Sequence, residues 1–167
     1  GAHAEPDSTV VHFGWHQMVE AHLERSGIGY THLRPTSFMR NLLLPAMSDA
    51  RAAVLRHYIG DAATSWVDVG DIAEVAAVVL RSPEEHRGRA YGLGTEVATV
   101  GEVAELLSEV TGRGWRYEPG EPAEFFAAMT AAGADPLYMD CVRTVFERTR
   151  EGSLPEVAAT FDTVERL

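Results

Sequence analysis

Helical and extended runs alternate along this chain with only a few residues between them, and that alternation admits few folds other than a layered α/β one. Between Val10 and Arg25, apolar residues fall at 11, 15, 18, 19 and 23, close to a helical period, and Ser26-Gly27 supplies a stop. Ile28 to Leu33 follows at once as a strand. Arg34-Pro35 closes it, because proline donates nothing to a ladder and restricts the residue before it. A helix leading directly into a strand is half of a crossover unit.

The same reading continues downstream. Phe38 to Leu44 is expected to be a short helical run stopped by Pro45, and Ala46 to Ala53 a second helical stretch. Val54 to Ile59 and Ser65 to Val69 lean toward strand. Asp68 is placed to cap an apolar helix from Ile72 to Leu80, with Asp71 favouring its positive end and Pro83 closing it. Arg89 to Leu93 reads as a strand. Thr99 and Glu102 form a capping box for Val103 to Val110, which Gly112 ends. Trp115 to Tyr117 alternates like a strand, Pro122 to Ala132 and Pro136 to Thr149 read as helices, and Ser153 to Glu156 is a second capping box before a terminal helix to Leu167. The strands near Tyr30 and Tyr91 are expected to be the central ones. A parallel sheet requires more neighbours than these two.

Composition narrows the function classes. With 167 residues, 46% of them hydrophobic, the chain can bury about 70% of its unfolded surface, enough for one domain over residues 1–167. Its 25 acidic residues against 14 basic ones give a formal charge of −11, and the basic residues form no stripe along a helix. That argues against nucleic acid and anionic membranes. The longest apolar runs, such as Ile72 to Leu80, fall short of the roughly 20 residues of a membrane span. A single cysteine, Cys141, permits no internal disulfide, and Gly1-Ala2-His3-Ala4 has no signal-peptide character, so a cytoplasmic protein is expected. All the basic residues are arginine. The absence of lysine removes Walker, Schiff-base and Tyr-x-x-x-Lys chemistry.

In an open parallel sheet, ligands lie beyond the carboxyl ends of the strands, so the segment Arg34 to Asn41 is where a site is sought. It mixes hydroxyls, an aromatic ring, a thioether and an amide, a set suited to a pocket with few polar contacts, although on composition alone a strand-to-helix loop whose Phe38 and Met39 fill the core is the simpler reading. On the preceding helix, His12, His16 and Glu20 fall at i, i+4 and i+8, along one face. Two histidines one turn apart can share a metal ion, but the adjacent glutamate of a zinc-protease helix is missing, and a solvated stripe or a hydrogen-bonded pair is the simpler reading; no metal is expected. No Gly-x-Ser-x-Gly elbow is present. Cys141 reads as a small core residue, and Trp15, Trp66 and Trp115 as packing anchors.

The run from His12 to Glu20, the run from Ser26 to Leu42, the stretch from Trp66 to Ala76 and the stretch from Tyr91 to Gly94 together resemble the NmrA-like atypical short-chain dehydrogenases, a family that includes NAD(P)H-quinone-reductase-like enzymes and redox-sensing regulators. The resemblance implies a Rossmann-like NAD(P)-binding fold. It covers the family's second half only, so the glycine-rich turn that receives the dinucleotide would lie before Gly1, and Gly92-x-Gly94 does not replace it because Val97 stands at the third glycine position. By resemblance His16 matches the helix residue that approaches the nicotinamide ribose, often lysine in the family, and is the candidate acid or base, with His12 beside the cofactor. Pro35, Thr36, Ser37 and Phe38 would pass along the nicotinamide, and Met39 and Asn41 would border a small-molecule substrate. The expected fold is therefore a partial Rossmann-like α/β domain with a small, mostly helical substrate-side region.

Three functions follow in order. The first is the substrate-side portion of an NAD(P)-dependent oxidoreductase for a quinone- or carbonyl-like substrate, a chain that on its own binds NAD(P) poorly. The second is a small-molecule-binding or redox-sensing regulator without hydride transfer. A cofactor-independent enzyme with His16 as base is third. Unpaired strand edges would be exposed, so self-association or a missing N-terminal segment is expected.

Overall fold

The computed structural model describes Ser8 and residues 10–153. Helix α1 (Val11–Arg25) leads into β1 (Thr31–Pro35), the two-residue β2 (Ser37–Phe38) and a 3₁₀ turn, Met39–Leu43. A hairpin of β3 (Ser48–Asp49) and β4 (Val54–His57) follows, then β5 (Thr64–Val67), α2 (Val69–Arg81) and the one-turn α3 (Pro83–His86). The chain continues through β6 (Arg89–Leu93), β7 (Glu96–Ala98), α4 (Val100–Thr111), β8 (Arg116–Pro119), α5 (Pro122–Ala131) and α6 (Pro136–Arg150). The second capping box and the terminal helix expected from Ser153 onward lie outside the described residues.

Helix ends follow their capping chemistry. The Asp68 carboxylate accepts from Gly70 N at 2.7 Å to start α2. Thr99 and Glu102 close a reciprocal capping box at the head of α4, and Gly112, at φ 67°, ends that helix in the left-handed conformation that glycine adopts without strain.

These elements gather into two compact units. The first holds the described residues up to Phe38 and those from Ser65 to Val97. In it β1 and β6 pair in parallel, with Leu33 opposite Tyr91 and Pro35 opposite Leu93. β2 lies parallel to β5, whose other neighbour is β7. Val67, Val75, Val79 and Leu93 form its buried core, with Leu33, Ile72 and Tyr91 packed against it. The second unit holds Met39 to Thr64 and the described residues from Ala98 on. There β3, β4 and β8 form a sheet, antiparallel at β3–β4 and parallel at β4–β8. Phe125 and Phe146 meet edge to face at 5.1 Å, joining α5 to α6, and Tyr58 stacks on Phe146 at 5.7 Å.

Three sequence expectations are corrected here. The strand placed at Ile28 to Leu33 begins at Thr31 and runs through Pro35, because its ladder is set by β6; where Pro35 has no N–H to give, Thr36 N donates to Leu93 O at 3.0 Å. Ala46 to Ala53 is not helical. Asp49 Oδ1 accepts from the amides of Arg51 and Ala52, and Ala53 takes φ 54°, so the segment turns as a hairpin. The most buried strands are β4 and β5, whereas β6 is largely exposed up to Leu93.

Candidate functional site

The carboxyl ends of β1 and β6 meet at Thr36. Its amide and its hydroxyl both donate to Leu93 O, each at 3.0 Å, so the loop leaving β1 is pinned to the end of β6 at two points. Gly94 sits where no side chain fits well: a Cβ there would stand 3.1 Å from the Ser65 Cβ and 3.4 Å from the Thr36 hydroxyl. Backbone therefore comes close to the loop, as a ligand-facing strand end requires. Thr95 completes the junction, its amide donating to Trp66 O at 2.6 Å and its hydroxyl to Asp71 at 2.8 Å. Ser37 and Phe38 then pair with Trp66 and Val67, leaving Phe38 37% exposed.

Helix α1 turns polar side chains toward β1. Glu24 meets His32 at 3.1 Å, and Glu20 takes a two-point ion pair from Arg34, at 2.6 and 3.2 Å. Burial alone would raise the Glu20 carboxyl, but the Arg34 bond and charge overcome it and hold the group below the ordinary carboxylate range. Four helical residues, about 6 Å, thus match two strand residues, about 6.6 Å. His16, one turn before Glu20, is solvent-exposed, and extending this register by one step points it toward the carboxyl end of the strand. His12 lies one turn beyond, its ring centroid 6.2 Å from that of His16. Burial lowers both imidazoles below their usual value, and the two rings reinforce the effect on His12. Near neutral pH both are uncharged, able to accept or donate a hydrogen bond and, for His16, to take a proton.

The remaining expected positions fall elsewhere. Met39, half-buried, and Asn41, exposed, belong to the 3₁₀ turn of the second unit. Cys141 is buried on α6. Trp66 is a packing anchor, buried on β5, and the Trp115 indole N–H donates to Thr111. Trp15 is not an anchor: it is 43% exposed on the outer face of α1, because the polar stripe takes the inner one. Among the described residues no group of three or more His, Cys, Asp or Glu could hold a metal ion, and no helix is long and apolar enough to cross a membrane.

Sequence reasoning singled out Glu20 only as a member of a stripe and missed its partner Arg34, fourteen positions away. The available signal was the i, i+4 run of polar residues on a helix whose apolar residues lie on the other side. Thr95 and Asp71 were missed as a pair for the same reason, since their bond spans two elements.

The NmrA-like family model matches residues 2–151. The NAD(P)H azoreductase of Xenophilus azovorans is 30% identical over 168 residues, covering 100% of this chain and 57% of the azoreductase. The (4-alkanoyl-5-oxo-2,5-dihydrofuran-3-yl)methyl phosphate reductase of Streptomyces griseus subsp. griseus is 37% identical over 81% of this chain and 48% of that protein. Among solved structures, the Citrobacter sp. triphenylmethane reductase complexed with NADP(H) superposes with a TM-score of 0.74 at 23% identity, over 99% of this chain and 57% of the reductase. An NADPH-dependent quinone oxidoreductase of Escherichia coli, complexed with NADPH, gives 0.73 at 24% identity over 99% of this chain and 62% of its own. The chain spans about half the length of the relatives it matches.

Proposed function

The chain belongs to the NmrA-like family, and from that membership we propose that it carries the nicotinamide- and substrate-facing side of an NAD(P)-dependent reductase acting on a small organic acceptor such as a quinone, carbonyl or azo compound. The observation that carries this reading is the junction at Thr36, where the loop after β1 is pinned to Leu93 O beside the close backbone of Gly94. In such a reductase the bound nicotinamide supplies the hydride. Pro35, Thr36, Ser37 and Phe38 form the rail along which its ring is held, and the two bonds from Thr36 to Leu93 O keep that rail from moving when a ligand enters. His16, uncharged near neutral pH, hydrogen-bonds a ribose hydroxyl or takes a proton from solvent and relays it to the reduced acceptor; His12 stands one turn before it. Met39 and Asn41, in the turn that comes next along the chain after Phe38, are the substrate-side residues of this proposal.

The test is titration with nicotinamide mononucleotide, followed by amide and histidine resonances. Shifts confined to residues 35 to 38 and His16, and lost in His16→Ala, are expected. Saturable shifts that leave residues 35 to 38 untouched would overturn the assignment. Full NADPH is expected to bind this chain only weakly, and a low-micromolar dissociation constant would contradict that.

A second reading is favoured by one observation: His12 and His16 stand where the Tyr-x-x-x-Lys spacing of short-chain dehydrogenases would put its pair. A chain that binds the nucleotide at this junction and transfers no hydride to a quinone or an azo dye is a sensor. The cofactor-independent alternative requires an activity that disappears in His16→Ala without any nucleotide added.

A further inference from the structure

In a chain of net charge −11, four arginines gather at one place in the second unit. Arg51, Arg56, Arg113 and Arg116 stand around the β3–β4 hairpin and β8. Arg113 donates to Arg51 O at 2.9 Å and Arg116 to Ala52 O at 3.3 Å, so two of these guanidinium groups tie down the hairpin backbone. The acids nearby are already engaged. Glu118 pairs with Arg56 at 3.4 Å and Arg116 at 3.0 Å, and Asp49 Oδ1 accepts from the amides of Ala52 at 3.0 Å and Arg51 at 2.9 Å. The Arg51 guanidinium makes no hydrogen bond or ion pair among the described residues, and Arg56 has only its long contact with Glu118.

These two under-committed guanidinium groups line an open concavity of about 460 Å³. Ser48 and Asp49 add polar groups to its lining, and Leu43, Pro45 and Ala50 add apolar ones. Leu43 is 69% exposed, so its side chain is available for contact. A guanidinium fork matches an oxyanion in geometry as well as charge, and an apolar wall beside it gives the rest of a ligand somewhere to bury.

We propose that this concavity binds a small organic anion, its carboxylate, sulfonate or phosphate held between Arg51 and Arg56 and its apolar body lying on Leu43 and Pro45. Asp49 opposes the anion and limits affinity, but its carboxylate also holds the hairpin turn. None of its residues is among those assigned above to the nucleotide or the acceptor.

Calorimetry with naphthalene-2-sulfonate, set against the neutral naphthalene-2-methanol, tests it. The sulfonate is expected to bind with a dissociation constant on the order of 10⁻⁴ M at low salt, and the alcohol about tenfold more weakly. Raising salt from about 50 to about 200 mM is expected to weaken the sulfonate alone. Arg51→Gln is expected to cost about tenfold, and because that side chain holds nothing in place, its circular dichroism and melting are expected to stay those of the parent. Asp49→Asn, which keeps the oxygen that accepts the loop amides, is expected to tighten binding about threefold. Naphthoate and naphthyl phosphate rank the anion types. Equal affinity for the alcohol, or unchanged affinity in a folded Arg51→Gln protein, overturns the proposal.

Discussion

Helices α1 and α2 both serve strand β1, and they bury opposite kinds of surface. Side chains alternate along a strand, so Leu33 faces one way and its neighbours His32 and Arg34 the other. On the Leu33 side α2 contributes Val75 and Val79 to the fully apolar cluster around Val67 and Leu93. On the other side α1 contributes Glu20 to Arg34 and Glu24 to His32, and leaves Val11, Trp15, Met18, Val19 and Leu23 exposed on its outside. The two faces divide the work. The apolar one supplies stability in proportion to area, whereas the polar one fixes the register of α1 on β1.

The largest effect is expected on the apolar face. Leu93→Ala empties a site with no solvent access and is expected to cost about 3 kcal/mol, read from the urea midpoint at constant slope. A loss under about 1 kcal/mol would mean that this cluster is not what holds β1 and β6 to α2.

Acid sensitivity comes next, and there a second group must be separated from the polar face. His57, in the second unit, is pushed by burial from 6.5 to about 4, so the unfolded chain takes up its proton first. Its contribution is complete above pH 6.5 and is lost as pH falls from 6.5 to about 4, on the order of 3 kcal/mol in all. In a His57→Gln background His12, His16, Asp49, Glu84 and Glu102 still contribute to the acid limb, so the share of Glu20 is read as the difference that Glu20→Gln makes in that background. The folded Glu20 carboxyl lies below its ordinary 4.5, so its contribution is present above pH 4.5 and is lost as pH falls through the folded value. Glu20→Gln is expected to shrink that limb and to cost about 2 kcal/mol at pH 7, because Arg34 is left half-buried with its charge poorly matched. An acid limb unchanged by Glu20→Gln would break the claim that the polar face is fixed by this pair.

The contrast between these helices also marks where sequence was readable. Local chemistry was legible: the Thr99–Glu102 capping box, the Asp68 cap, the Gly112 stop and the strand Arg89 to Leu93 all stand where their residues placed them. The α/β class with parallel pairing followed from the same signals. What failed was Ala46 to Ala53, where alanines offer no side chain to oppose a helix and the deciding event is the capture of two amides by Asp49. At the candidate site, the loop after β1 was found from strand position, but the bonds that shape it were not. Thr36 to Leu93, Thr95 to Asp71 and Glu20 to Arg34 each join residues from different elements, and a periodicity carries no trace of such a partner.

The smallest effect tests the outer face of α1. Apolar periodicity on that helix invites the assumption that Trp15, Met18 and Val19 point into a core, yet they are 43%, 67% and 60% exposed. If the inward face is the polar one, Val19→Lys places a charge in water and is expected to change stability by less than about 0.5 kcal/mol in dilute solution. The same substitution at Val75, fully buried on α2, would place that charge in the apolar cluster and is expected to unfold the first unit. Sedimentation at rising concentration adds a second reading, since an exposed stripe of this size is expected to draw copies of the chain together and Val19→Lys to weaken that association. A Val19→Lys protein destabilised by several kcal/mol while dilute and monomeric would show that the stripe is packed within a single chain, and the division of labour between α1 and α2 would have to be withdrawn.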